Sequence, residues 1–190
     1  RKVVLGETHP HYAESLNNLA ALEVRKGKYD EAESIYKKAN AIFKKSLGEA
    51  SPVYASGLNN LADLYLYAGQ YEKAELLYLQ AKEIKGKSLG ENHIEYSISL
   101  NNLGLLYEYI GQYRKAESLY TESIAIKKKT FGESHPQYAT ALNNLATLYS
   151  TLGQYDKSEA LLNKALLIIE KALGQNNKDY ATSLDNLANI

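Results

Sequence analysis

Four histidines, His9, His11, His93 and His135, are the residues of this 190-residue chain best suited to hold a metal or move a proton. Their spacing points elsewhere. His9, His93 and His135 lie at multiples of one fixed interval, and Ser51 and Asn177 fill the remaining steps of the same register. His, Ser and Asn share a side-chain acceptor able to take a backbone N–H where a helix begins, so the series reads as N-caps. Separated by whole repeats of structure about 10 Å per helix, these rings cannot surround one ion. His11 has no counterpart and reads as a surface residue. The chain has no Cys, which removes thiolate metal sites, disulfides and cysteine nucleophiles and fits a reducing, cytoplasmic compartment. The glycines that precede Tyr29, Tyr71, Tyr113 and Tyr155 recur at the same interval and read as turns, not as a phosphate-binding loop. No catalytic residue, metal or cofactor is expected, and the chain is read as a non-enzyme.

Charge is equally uninformative for catalysis and excludes some partners. Lys+Arg 22 balances Asp+Glu 22, so no global field draws nucleic acid or an anionic membrane surface. No apolar run approaches the roughly 18 residues a membrane helix needs. The run Lys127–Lys128–Lys129 falls at a helix end and reads as solvated charge that complements the helix dipole.

What recurs instead is amide and phenol. Asn17-Asn18, Asn59-Asn60, Asn101-Asn102 and Asn143-Asn144 stand at one place in four successive repeats, and 17 residues are Tyr. Asn is a mediocre helix residue because its amide competes with the backbone, so its repetition needs a cause. One cause is a ladder of amides that pairs with the backbone of an extended peptide; the other is a set of bonds between adjacent repeats.

The elements that carry these residues follow from a fixed period of about 42 residues, a length typical of stacked units that touch only their neighbours. Leu5-Gly6, Leu47-Gly48, Leu89-Gly90, Phe131-Gly132 and Leu173-Gly174 mark its successive steps. In the second unit, Ser51-Pro52 gives an N-cap and a first-turn proline, and Tyr54, Leu58, Leu61, Ala62 and Tyr65 share one helical face. Gly69-Gln70 breaks that helix. Tyr71, Ala74, Tyr78, Ala81 and Ile84 resume helical spacing until Leu89-Gly90, whose glycine suits a left-handed C-terminal cap. Each unit is therefore an antiparallel hairpin of two helices. Ala20, Ala62, Gly104 and Ala146 on the first helices, and Ala32, Ala74, Ala116 and Ser158 on the second, are small enough for close approach.

The strings from Leu58 to Tyr65, from Gly69 to Glu75 and from Tyr78 to Ala81 resemble a tetratricopeptide repeat. The length of the period resembles that of the subtype found in kinesin light chains and bacterial repeat proteins. The resemblance implies an all-α solenoid of antiparallel helix hairpins in a right-handed superhelix, whose first helices line a concave groove for an extended peptide. It divides the chain into the end of a preceding repeat at 1–8, repeats at 9–50, 51–92, 93–134 and 135–176, and a lone first helix at 177–190. Members that clamp the carboxylates of chaperone tails carry Lys and Arg where this chain has Asn17, Asn59, Asn101 and Asn143.

With the core face set, a 100° step per residue assigns the groove. Its rows are Glu14, Asn17, Asn18, Ala21, Val24 and Arg25; Ser56, Asn59, Asn60, Asp63, Leu66 and Tyr67; Ile98, Asn101, Asn102, Leu105, Glu108 and Tyr109; and Thr140, Asn143, Asn144, Thr147, Ser150 and Thr151. Within them Leu66, Tyr67, Ile98, Leu105 and Tyr109 form an apolar and aromatic strip of the kind that anchors a ligand. The expected function is a protein-interaction scaffold that holds a peptide segment of a partner, within a larger multidomain protein. The alternative is a structural spacer or an array that associates end to end. Residues 179–190 align with 53–64, so Leu184 and Leu187 are expected to lack cover and either fray or bury against another molecule, as in a segment excised from a longer array.

Overall fold

The computed structural model describes residues 6–190, and the expected helix tail at residues 1–5 lies outside them. The described residues form an all-α protein: α1 (Pro10–Arg25), α2 (Tyr29–Leu47), α3 (Pro52–Tyr67), α4 (Tyr71–Leu89), α5 (Ile94–Tyr109), α6 (Tyr113–Phe131), α7 (Pro136–Thr151), α8 (Tyr155–Leu173) and α9 (Lys178–Ala188). They divide into two compact units, one reaching Glu91 and one starting at Asn92. In the first, α1 pairs with α2, α3 with α4, and α3 also packs on both α1 and α2. In the second, α5 pairs with α6 and α7 with α8; α7 also rests on α6, and α9 packs on α7 and α8.

Each hairpin starts and turns by the same local devices. His9, His93 and His135 accept the backbone N–H two residues on through Nδ1, at 3.1–3.2 Å, as Ser51 and Asn177 do through oxygen. The first helices end in a Schellman motif. Gly69 N–H donates to Leu66 C=O at 3.1 Å and Gln70 N–H to Tyr65 C=O at 2.8 Å, with Gly69 at φ 70°. The second helices end differently from the sequence expectation. Gly48 has φ 86° and ψ 163°, an extended region open in practice only to glycine and far from the left-handed helical well. The left-handed cap thus belongs to the turn inside each hairpin, and the Leu-Gly steps are sharp extended corners.

The small residues sit where close approach requires them: Ala20, Ala62, Ala146, Ala32, Ala74, Ala116 and Ser158 are fully buried. At Gly104 a Cβ would stand 2.8 Å from the Tyr120 ring, so only glycine lets that ring lie against α5. In the first unit Ala13, Leu16, Ala39, Phe43, Tyr54, Ala55, Leu58 and Ala81 form one core. In the second, Tyr138, Ala139, Leu142, Ala165, Ile168 and Ile169 form another, joined by Tyr180 of α9. Asn40 lies inside the first unit and donates to Gly57 C=O at 3.1 Å.

Two expectations are corrected. Lys127 does not belong to a solvated helix end: it is 7% exposed, at the place Phe43 and Ile169 hold in other repeats, and burial pushes its ammonium below the ordinary lysine range. Further, α9 runs as a helix to Ala188 instead of fraying, with Leu184 left 41% exposed.

Candidate functional site

Each unit has a cleft between one hairpin and the first helix of the next. In the first unit it measures about 530 Å³ and is lined by Ala21, Val24 and Arg25 of α1, Tyr29 and Tyr36 of α2, and Asn60, Asp63 and Tyr67 of α3. In the second it measures about 160 Å³ and is lined by Asn101, Leu105 and Glu108 of α5, Tyr120 of α6, and Asn144 and Thr147 of α7. The two align position by position, two repeats apart: Ala21 with Leu105, Val24 with Glu108, Tyr36 with Tyr120, Asn60 with Asn144 and Asp63 with Thr147.

The carboxylates at these clefts are held by tyrosines of the second helices. Tyr78 donates its hydroxyl to Asp63 Oδ1, and Tyr120 donates to Glu108 Oε2 at 2.9 Å. Burial pushes both carboxyl groups above their ordinary range, and the tyrosine hydrogen bond partly offsets it. Burial, and then the neighbouring carboxylate, pushes the Tyr78 and Tyr120 hydroxyls up in turn. Tyr36 has no such carboxylate in its own hairpin, because Ala21 and Val24 stand where Asp63 and Glu108 stand in later repeats. Among the described residues its hydroxyl makes no hydrogen bond, although the residue is only 5% exposed.

The paired asparagines divide by position. Asn59 and Asn143 are buried, and Asn143 Nδ2 donates to Ser183 Oγ at 2.7 Å, tying α7 to α9. Asn17 is half-buried, with a buried Oδ1 that has no partner among the described residues. Asn144 Nδ2 donates to Asn101 Oδ1 at 2.6 Å, a bond between α7 and α5. Asn18 is exposed, Asn102 is half-buried, and Asn60 lines the open cleft of the first unit.

The apolar strip is placed in part at the surface. Tyr67 and Tyr109 are 63% and 60% exposed, Ile98 is 37% exposed, and Leu105 lines the smaller cleft. Leu66 is 4% exposed, because it follows Leu58 and Ala62 at steps of four and so falls on the buried row of α3. Arg25 is exposed at the rim of the larger cleft.

The sequence reading missed what the second helices add. Tyr36, Tyr78 and Tyr120 recur at one core position where the fourth repeat has Leu162, and a tyrosine where leucine suffices signals that the hydroxyl reaches a polar edge. The tyrosines near the C-terminal ends of α3 and α7 find partners in the same way. Tyr65 donates to Glu33 at 2.8 Å under Lys73, and Tyr149 donates to Glu117 at 2.7 Å under Lys157. Charge is segregated as well. Arg25 is the only Lys or Arg in α1, α3, α5 and α7, whereas every one of α2, α4, α6 and α8 carries several.

Capped helical hairpins stacked through small residues, with clefts between successive first helices, define a helical repeat protein. The tetratricopeptide repeat model matches residues 1–45, 11–87, 55–129, 125–166 and 137–190, and the chain belongs to that family. Solved structures agree. The nearly identical TPR-like repeats of a Podosopora anserina protein described as a kinesin light chain are 28% identical, over 95% of this chain and 85% of that one, with a TM-score of 0.79. BtubC (BKLC) from P. vanneervenii is 26% identical over 94% of this chain and 71% of that one, with a TM-score of 0.82. No curated protein matches the chain. The family is one of interaction scaffolds, and among the described residues no helix is long and apolar enough to cross a membrane.

Proposed function

We propose that the chain is a protein-interaction module that binds an extended segment of a partner protein along the exposed face of its first helices. The observation that carries this reading is the exposure of Tyr67 and Tyr109, which the hairpin cores do not use. Large amphipathic rings held on rigid helices give binding energy at low entropic cost. Asn18, Asn60 and Asn102 supply amide donors and acceptors beside them, whereas Asn143 and Asn144 serve the stacking of α7 on its neighbours. The test is capture of partners from native lysate by the chain and by its Tyr67→Ala/Tyr109→Ala variant. The variant keeps its helical circular dichroism and loses the partner; equal capture by both removes the reading. A second reading, self-association through α9, is favoured by the exposure of Leu184. It requires a concentration-dependent mass that Leu184→Lys abolishes, read by sedimentation.

A further inference from the structure

The larger cleft contains groups that the stacking of repeats leaves unused. Asp63 receives Tyr78 on Oδ1, and among the described residues its Oδ2 has neither a hydrogen bond nor an ion pair. Tyr36 lines the same cleft with its ring buried, and among the described residues its hydroxyl has no hydrogen-bond partner. Both free oxygens lie at the open side of the cleft, where a ligand can reach them. Tyr29 and Tyr67 stand at the mouth of this cleft, 41% and 63% exposed, so three phenol rings and one carboxylate share about 530 Å³.

We propose that this cleft receives a lysine or arginine side chain of the partner segment, its charged head against Asp63 and its stem among Tyr29, Tyr36 and Tyr67. The inference rests on the peptide-binding reading above and specifies the partner's chemistry. A carboxylate and aromatic faces are together the two groups that attract a cation most strongly at short range. The phenol oxygen of Tyr36 accepts from a guanidinium or ammonium N–H, which gives that group the partner the fold withholds. An acidic segment would meet the Asp63 carboxylate at the floor, with only the exposed Arg25 at the rim to hold it. The absence of lysine from α1 and α3 leaves Arg25 as the one like charge that a basic ligand must pass on these two helices.

The opposite signs of Asp63 and Arg25 make the proposal directly testable. A displayed library of random decapeptides is selected on the full chain, and the enriched peptides are measured against wild type, Asp63→Asn, Arg25→Gln and Tyr67→Ala. Enriched sequences share a Lys or Arg; Asp63→Asn weakens them about tenfold or more, as loss of a charge-assisted bond does, and Arg25→Gln tightens them. Acidic or uncharged peptides that depend on Tyr67 and ignore Asp63 overturn the cation preference and leave peptide binding standing. Basic peptides indifferent to Asp63→Asn overturn it too. If no peptide is enriched, both readings fall together.

Discussion

The two clefts occupy one position in the repeat and have opposite characters. In the first unit Ala21, Val24 and Asn60 leave the space open, and Tyr36 and Asp63 face it with unused bonding capacity. In the second, Leu105 fills the place of Ala21, Glu108 takes the Tyr120 hydroxyl, and Asn144 is tied to Asn101. The backbone that frames them is the same hairpin. Two side-chain exchanges, Ala21 against Leu105 and Val24 against Glu108, therefore separate an open site from a closed joint, while Asn60 and Asn144 are one residue type that differs only in its bond.

The largest effect is expected at Gly104. Gly104→Ala forces the Tyr120 ring away from α5 and breaks its bond to Glu108, for a loss of about 1–3 kcal/mol in denaturant unfolding. An equal stability for the variant would mean that the second unit does not depend on that close approach.

Next come the paired tyrosines. Tyr120→Phe strips a buried carboxylate of its donor, costs about 1–2 kcal/mol and pushes Glu108 further above its ordinary range. Tyr36→Phe removes a hydroxyl that bonds to none of the described residues, and its unfolding midpoint should match wild type. If both variants lose the same stability, the clefts are not distinguished by bonding.

Asp63→Asn is expected to stabilise the chain at neutral pH by about 1 kcal/mol or less, because the amide oxygen still accepts from Tyr78 without a buried charge. The sign with pH follows from its elevated pKa. The folded state holds the Asp63 proton to higher pH than the unfolded chain, so wild type loses stability relative to the variant as pH rises through that raised value. Thermal unfolding of both proteins across pH reads the difference.

The smallest effect concerns the corners. Glu133 sits between Lys128 at 2.6 Å and Lys164 at 2.8 Å, which hold its carboxyl down at about 2, whereas the equivalent Glu49 pairs, among the described residues, with Lys44 alone. Carboxyl NMR at low salt should find Glu133 titrating there. Molar salt should move it towards the ordinary range, since the group is solvent-exposed and its attractions are screened.

The period, the hairpins and the small contact residues were legible in the sequence because each rests on local pattern. Apolar spacing sets a helix face, and glycine sets a turn, without knowledge of the rest of the chain. Exposure of Tyr67 and Tyr109 was legible for the same reason. Leu66 was misplaced because a row of fours, Leu58, Ala62 and Leu66, curves slowly around the helix, and a fixed angular assignment put it one sector off. Lys127 was misread because a lysine beside two lysines looks solvated, and only the packing of α6 shows that its stem replaces an apolar residue. The pairing of Tyr78 with Asp63 across 15 residues, and the lack of any such pairing for Tyr36, depend on the distance between helices and have no local signature.

The restriction of lysine to one helix of each hairpin bears on how the protein can be handled. Amine-reactive chemistry finds none of its side-chain targets on α1, α3, α5 or α7. A chain tethered to a sensor surface or dyed through its amines is thus attached by its second helices, its turns and its two ends, and the first helices of the four hairpins stay presented to whatever is flowed across them.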